Sequence, residues 1–228
     1  MKPQISPIGI PPLEQGDHLT QVEFEKRYEA MAHLKKAELI EGRVYMSAAL
    51  RLRNHGEPHG RLMAWMGYYK LVTPGLVLAD NATVRLDFDN EPQPDIALFL
   101  EPELGGQVTI SPEDYIEGAP ELIAEIAASS ASYDLGEKKT VYCRHGVKEY
   151  IVWQTYEKRL DWFVLQDGQY GLLSADPDGI LKSHVFPGLW LDVDALLAND
   201  TARVLQVLQA GIQSSEYDHF RREISSSS

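Results

Sequence analysis

Hydrophobic positions along this chain switch between two spacings, and the switches mark its elements. Thr20-Gln-Val-Glu23 is a capping-box pattern, and Val22, Phe24, Tyr28, Met31 and Leu34 follow helical spacing, which predicts a helix from 20 to about 37. Residues 39–46 read as two short strands or one bent strand turning at Gly42. A second helix is expected over 60–71, stopped by Pro74 and Gly75, and strands over 76–86 and 95–100. A loop rich in Gly, Pro and acids follows over 101–119, then a short apolar strand over 121–127. Helical spacing returns at 134–145 and stops at Gly146, a natural left-handed cap. Strands are expected at 149–155 and 160–166, the second ending in an Asp167-Gly168 turn signal, with shorter ones at 170–173 and 188–193. A terminal helix over 202–210 precedes a polar tail ending in four serines, which reads as disordered.

This order of strands and helices, without internal repeats, gives one α/β domain built on a mixed sheet. Residues 1–19, with four prolines and no periodicity, form an expected extended arm. The domain covers 20–198, and 199–228 are a C-terminal helix and flexible tail. The 228 residues are 44% hydrophobic and 24% charged, enough to bury a sizeable core without staples. A single cysteine, Cys143, excludes a disulfide framework and a multi-cysteine zinc site within one chain. No run reaches the length of a membrane span, and the first 20 residues lack the apolar core of a secretory signal. A cytoplasmic protein is the expectation.

Charge changes the picture. The net charge of −13 is concentrated between Arg85 and Lys138, where 52 residues contain no Lys, Arg or His and 13 acids. The acids outside this segment equal the 21 lysines and arginines in number. Net charge does not draw such a chain to nucleic acid. A cation-free acidic segment suits either a solvated surface or the gathering of a divalent metal.

Within that segment, Glu121-Leu-Ile-Ala-Glu125-Ile-Ala127 places Glu121, Ile123, Glu125 and Ala127 on one strand face and Leu122, Ala124 and Ile126 on the other. An acid in so apolar a strand is costly unless paired, protonated or bound to a cation. Asp95, at the head of another apolar strand, is its natural partner, although Asp after Pro is also a common turn residue. On the following helix, Asp134, Lys138 and Tyr142 share one stripe. Lys138 could reach above Ala127 and stabilise charge developing on a phosphate, or simply pair with Asp134. Lys139 points about 100° away. His55 and His59 are four apart, but Gly56 and Pro58 between them argue against a regular zinc-binding helix. Arg51, Arg53 and Arg61 form a local basic cluster, readable as a phosphate-backbone contact or an exposed loop.

Asp95, Glu125 and a nearby lysine resemble the active site of the PD-(D/E)XK nuclease superfamily. The usual lysine position, two residues after the acid, is Ala127 here. The chain is more similar to the Uma2 family of restriction-endonuclease-like proteins, in which the lysine lies on the next helix. The matching residues are Leu39-Ile-Glu41-Gly42, His59, Pro94-Asp95, Glu121 to Glu125, Asp134-Leu-Gly-Glu-Lys138, Gly146-Val-Lys-Glu-Tyr150, and Pro187-Gly188-Leu189 with Leu191-Asp192. They span about 20–198. The run after the central acid and Gln154 at the later strand depart from the family pattern without removing a proposed ligand.

The resemblance implies a restriction-endonuclease-like α/β fold with a mixed central sheet flanked by helices. It implies metal-dependent cleavage of a phosphodiester, in DNA, by a homodimer. Asp95 and Glu125 would bind Mg²⁺, or Mn²⁺ as substitute, together with the carbonyl of Ile126. Lys138 would add electrostatic stabilisation, and Glu41, otherwise a hairpin residue, would support a second metal or a water. His59 and Arg61 are candidates for substrate contact. The competing reading is a non-catalytic nucleic-acid- or protein-binding scaffold that keeps the nuclease fold, which the acidic balance favours and the intact acid–acid–lysine set opposes.

Overall fold

The structure is a computed structural model that describes residues 9–46 and 50–226. Residues 1–8 of the expected arm and the last two serines of the expected tail lie outside the described residues. Thr20 accepts the amide of Glu23 and opens α1 (Gln21–Glu29). The helix stops well before residue 37. Only Phe24 of its side chains is buried, and Met31 and Leu34 pack instead from the following turn against a small cluster with Leu39 and Val44. β1 (Ala37–Ile40) and β2 (Arg43–Met46) form an antiparallel hairpin. Its turn residues, Glu41 and Gly42, both have positive φ. A wide π-type turn over Leu52–Gly56 leads into α2 (Glu57–Val72).

The strand expected over 76–86 divides into β3 (Leu76–Asp80) and β4 (Val84–Arg85) at Asn81, whose φ is +52°. β5 (Ile96–Leu100) follows. The expected loop contains β6 (Thr109–Ile110) and β7 (Ile116–Glu117), which join β4 in a small side sheet. After β8 (Leu122–Ala127), α3 (Ala131–Tyr133) continues through a π-type stretch, Asp134–Lys138, into α4 (Lys139–His145). Gly146 caps it at φ +87°. β9 (Glu149–Gln154), β10 (Arg159–Gln166) and β11 (Gln169–Leu172) are a meander, with Asp167 and Gly168 turning between the last two at positive φ. β12 (Ile180–Lys182) pairs with β13 (Trp190–Asp192), and α5 (Val193–Leu197) and α6 (Thr201–Gly211) follow. The stretch read as a polar tail is α7 (Ser215–Ser226). Its Tyr217, Phe220 and Ile224, three and four apart, are buried on one helix face.

The central sheet has six strands in the order β11-β10-β9-β8-β5-β3. Only β8 and β9 run parallel, and α3 to α4 form the crossover between them. Both faces of β8 are buried. Leu122, Ala124 and Ile126 meet Leu62, Trp65, Met66 and Tyr69 of α2 together with the C-terminal helices. Ile123 and Ala127 pack on the opposite side with Tyr142 of α4 and Tyr150 of β9. The register pairs Ile96 with Ala124 in antiparallel sense, so Asp95 falls beside Glu125 where the two strands meet. Among the described residues no helix is long and apolar enough to cross a membrane.

The C-terminal helices close the core through a tight approach. Tyr217 donates its hydroxyl to the carbonyl of Val72, 2.7 Å away. A Cβ added at Gly211 would fall 2.2 Å from the carbonyl oxygen of Gly188. Gly211→Ala should therefore destabilise the fold by about 1–3 kcal/mol, measured by urea denaturation. An unchanged midpoint would show that the approach tolerates a side chain.

Candidate active site

The sequence puts three carboxylates at one end of the sheet because three apolar segments each carry one acid there. Glu38 is in β1, Glu125 is in β8, and Asp95 immediately precedes β5. Their relative exposures are 5%, 3% and 3%, and Lys138 is at 2%. Asp134 is buried beside them. Lys138 Nζ lies 2.6 Å from Glu125 Oε1, 2.8 Å from Glu38 Oε1 and 3.9 Å from Asp134 Oδ1. Tyr142 donates its hydroxyl to Glu125 Oε1 at 3.1 Å, one helical turn beyond Lys138.

Asp95 has its own partners. Its Oδ1 accepts from Lys36 Nζ at 2.9 Å, and its Oδ2 accepts from the Ile126 amide at 2.8 Å and faces His55 Nε2 at 3.1 Å. The Asp95 amide donates to Glu125 Oε2 at 3.3 Å, and the Gln93 amide to Glu38 Oε1 at 2.8 Å. Lys36, Glu38, His55, Asp95, Glu125 and Lys138 floor a cleft of about 460 Å³, with Leu50, Arg51 and Tyr156 toward its exposed rim. The Tyr133 hydroxyl, at the same cleft, is buried without a hydrogen-bond partner among the described residues.

The electrostatics follow from burial and neighbours. Burial works to raise the Asp95 carboxyl, but the His55 contact and the Lys36 ammonium outweigh it and hold the group well below the usual carboxylate range. Burial pushes Glu125 up to about 8, against the pull of Lys138 and with the charges of Asp95 and Asp134 adding to the rise. Burial also penalises the charged Lys138, yet Glu125 and Glu38 raise it well above its ordinary value. Four carboxylates thus face two ammonium groups and one imidazole, an excess of negative charge that a proton on Glu125 partly relieves.

Of the residues singled out from sequence, the structure brings Asp95, Glu125, Ile126 and Lys138 together. Glu41 is not with them. It lies on the β1–β2 turn, 49% exposed at its side chain, 2.6 Å from Arg144. Glu41 is a turn residue at positive φ beyond the end of β1, and Glu38, within β1, is the acid that faces the cleft. His59 stands behind the site, its Nε2 3.2 Å from both the Asp95 carbonyl oxygen and Asp80 Oδ1. Arg61 pairs with Glu57 at 2.9 Å, away from the cleft lining. Sequence reasoning missed Glu38, Lys36, His55 and Tyr133. The signal for Glu38 was present, an acid inside an apolar strand, as for Glu125. For Lys36 there was none.

The Uma2 family model, described as "Putative restriction endonuclease", matches residues 22–194. A crystal structure of a "putative nuclease belonging to DUF820" from Anabaena variabilis ATCC 29413 superposes with a TM-score of 0.58 at 15% identity, over 79% of this chain and 98% of that one. At that identity the likeness is one of fold. No curated protein matches the chain.

The raised Glu125 carboxyl has a stability consequence. Folding binds a proton there, so its contribution is complete below its ordinary value of 4.5 and is lost as pH rises through about 8. In chelator, wild-type stability should fall between pH 5 and 8 more steeply than that of Glu125→Gln, by up to about 1.4 kcal/mol per pH unit. Urea midpoints across that range measure it, and parallel profiles would refute it.

Proposed function

Because this chain belongs to the Uma2 family, we propose that it is a metal-dependent endonuclease that hydrolyses phosphodiester bonds, with DNA as its substrate. The observation that carries this reading is the convergence of Glu38, Asp95 and Glu125 on one cleft with Lys138 among them. A merely structural cluster gains little from such an arrangement, since buried ion pairs are weak sources of stability.

Among the described residues no three His, Cys, Asp or Glu side chains already surround a common point in the manner of a metal cage. Magnesium does not need one. It takes one or two carboxylates and keeps several waters. Asp95, Glu125 and the Ile126 carbonyl are a hard oxygen set of that kind, and Mn²⁺ would substitute. With all four acids ionised against Lys36 and Lys138, the cluster also lacks two positive charges, the charge of one divalent cation. A cation held there supplies Lewis-acid stabilisation of charge developing on the phosphoryl oxygens.

The chain's own groups do the rest. Lys138, pinned between Glu125 and Glu38, fixes both carboxylates and keeps a positive charge on the cleft floor. Glu38 takes the supporting role that the family resemblance implied for Glu41. The unpartnered Tyr133 hydroxyl is free to donate to a phosphate oxygen. Arg51 on the rim is placed to meet the substrate backbone. A homodimer would suit the cutting of two strands.

Mg²⁺- and Mn²⁺-dependent cleavage of single-stranded, double-stranded and branched DNA at low salt tests the reading. Glu125→Ala, Lys138→Ala and Glu38→Ala should each lose at least about a hundredfold in rate, whereas Glu41→Ala should keep most of it. A folded wild type that neither cuts nor binds metal would support the scaffold reading instead.

A further inference from the structure

We infer that Lys36 is a displaceable counter-cation, which occupies the place of a divalent cation at Asp95 and gives way to it, and so sets the metal affinity of the site. This rests on the metal-site reading above. It starts from the fact that the oxygens of Asp95 and Glu125 are already engaged. Asp95 Oδ1 has Lys36, and Oδ2 has the Ile126 amide and His55. Glu125 Oε1 has Lys138 and Tyr142, and Oε2 has the Asp95 amide. A cation arriving at these oxygens therefore competes with donors already in place.

The donors differ in how readily they can leave. The Ile126 amide belongs to β8, buried on both faces. Lys138 and Tyr142 are buried on the crossover helix, and Lys138 has three carboxylates within 4 Å. His55 is buried. Lys36 belongs to none of these elements. It comes from the segment just before β1, lines the cleft, and its side chain remains 16% exposed at the end of a long flexible stem.

Lys36 also has a second acceptor. Its Nζ lies 3.2 Å from Asn81 Oδ1, beyond the end of β3. Asn81 is fixed there by its own amide, which donates to the Asp95 carbonyl at 3.2 Å. An ammonium that leaves Asp95 thus keeps a hydrogen bond within reach, and a cation arriving at Asp95 Oδ1 does not have to strip Lys36 of every partner. Burial disfavours charge on Lys36, but Asp95, Glu38 and Glu125 outweigh it, and Lys138 opposes them. Removing the Lys36 charge leaves four carboxylates against one ammonium, which strengthens the draw on a divalent cation.

Free Mn²⁺, read by electron paramagnetic resonance during titration of the full chain, tests this in wild type, Lys36→Met and Lys36→Arg, with Glu125→Ala as the site control. Lys36→Met should bind Mn²⁺ at least tenfold more tightly than wild type, and Lys36→Arg more weakly, because a guanidinium grips a carboxylate through two bonds. Thermal melts in chelator check that each variant is folded. Should Lys36→Met fail to fold, Lys36→Arg decides, and an affinity equal to wild type overturns the inference. Equal affinity in wild type and Lys36→Met, lost in Glu125→Ala, overturns the inference and leaves the metal site standing. No Mn²⁺ bound by any folded variant removes the metal site and the inference together.

Discussion

Four carboxylates and two ammonium groups are packed together, almost all of them buried, at the floor of one cleft, and the elements around them have to keep those charges in contact. Taking one partner from such a set costs about 3–5 kcal/mol, because the charge left behind stays buried. The constraint explains where the sheet changes character. Within the central sheet β8 and β9 are the one parallel pair, so a crossover must pass between them, and that crossover carries Lys138 over the end of β8. The antiparallel register of β5 against β8 then brings Asp95 beside Glu125, and the β1 hairpin supplies Glu38 to the same lysine. Four separate segments are tied together by one ammonium group and the acids about it.

Much of this was legible in the sequence where local rules and packing agree. The alternation along β8 marked both its faces correctly, since each face is covered by a different layer. The helix ending at Gly146 was readable because a left-handed cap leaves a chemical signature, and the Asp167-Gly168 turn for the same reason. Where tertiary contacts overrode local pattern, the reading failed. α1 has the spacing to continue past Glu29, but Met31 and Leu34 are needed in another cluster. α7 looks like a tail because its apolar residues are sparse, yet three suffice to dock it.

Glu41 and Glu38 are the most instructive pair. Both lie in the one hairpin from Ala37 to Met46, and β1 is buried along its whole length, so alternation of polar and apolar residues does not reveal which acid points inward. The distinction rests on Lys138, a hundred residues away in sequence, and on the surface pair of Glu41 with Arg144. His55 and Lys36 were harder still. Each reaches Asp95 from a connecting segment, and no periodicity governs such a reach.

That division of the site between sheet and connecting segments governs how it can move. β8 is an interior strand, hydrogen-bonded on both sides and covered on both faces, so shifting it requires breaking the sheet itself. Glu125 and the Ile126 backbone therefore share the lifetime of the fold. Lys36 is anchored by side-chain contacts alone and can rearrange on the far shorter timescale of a rotamer change. One wall of the cleft is as permanent as the protein, while the other can rearrange many times within the lifetime of the fold.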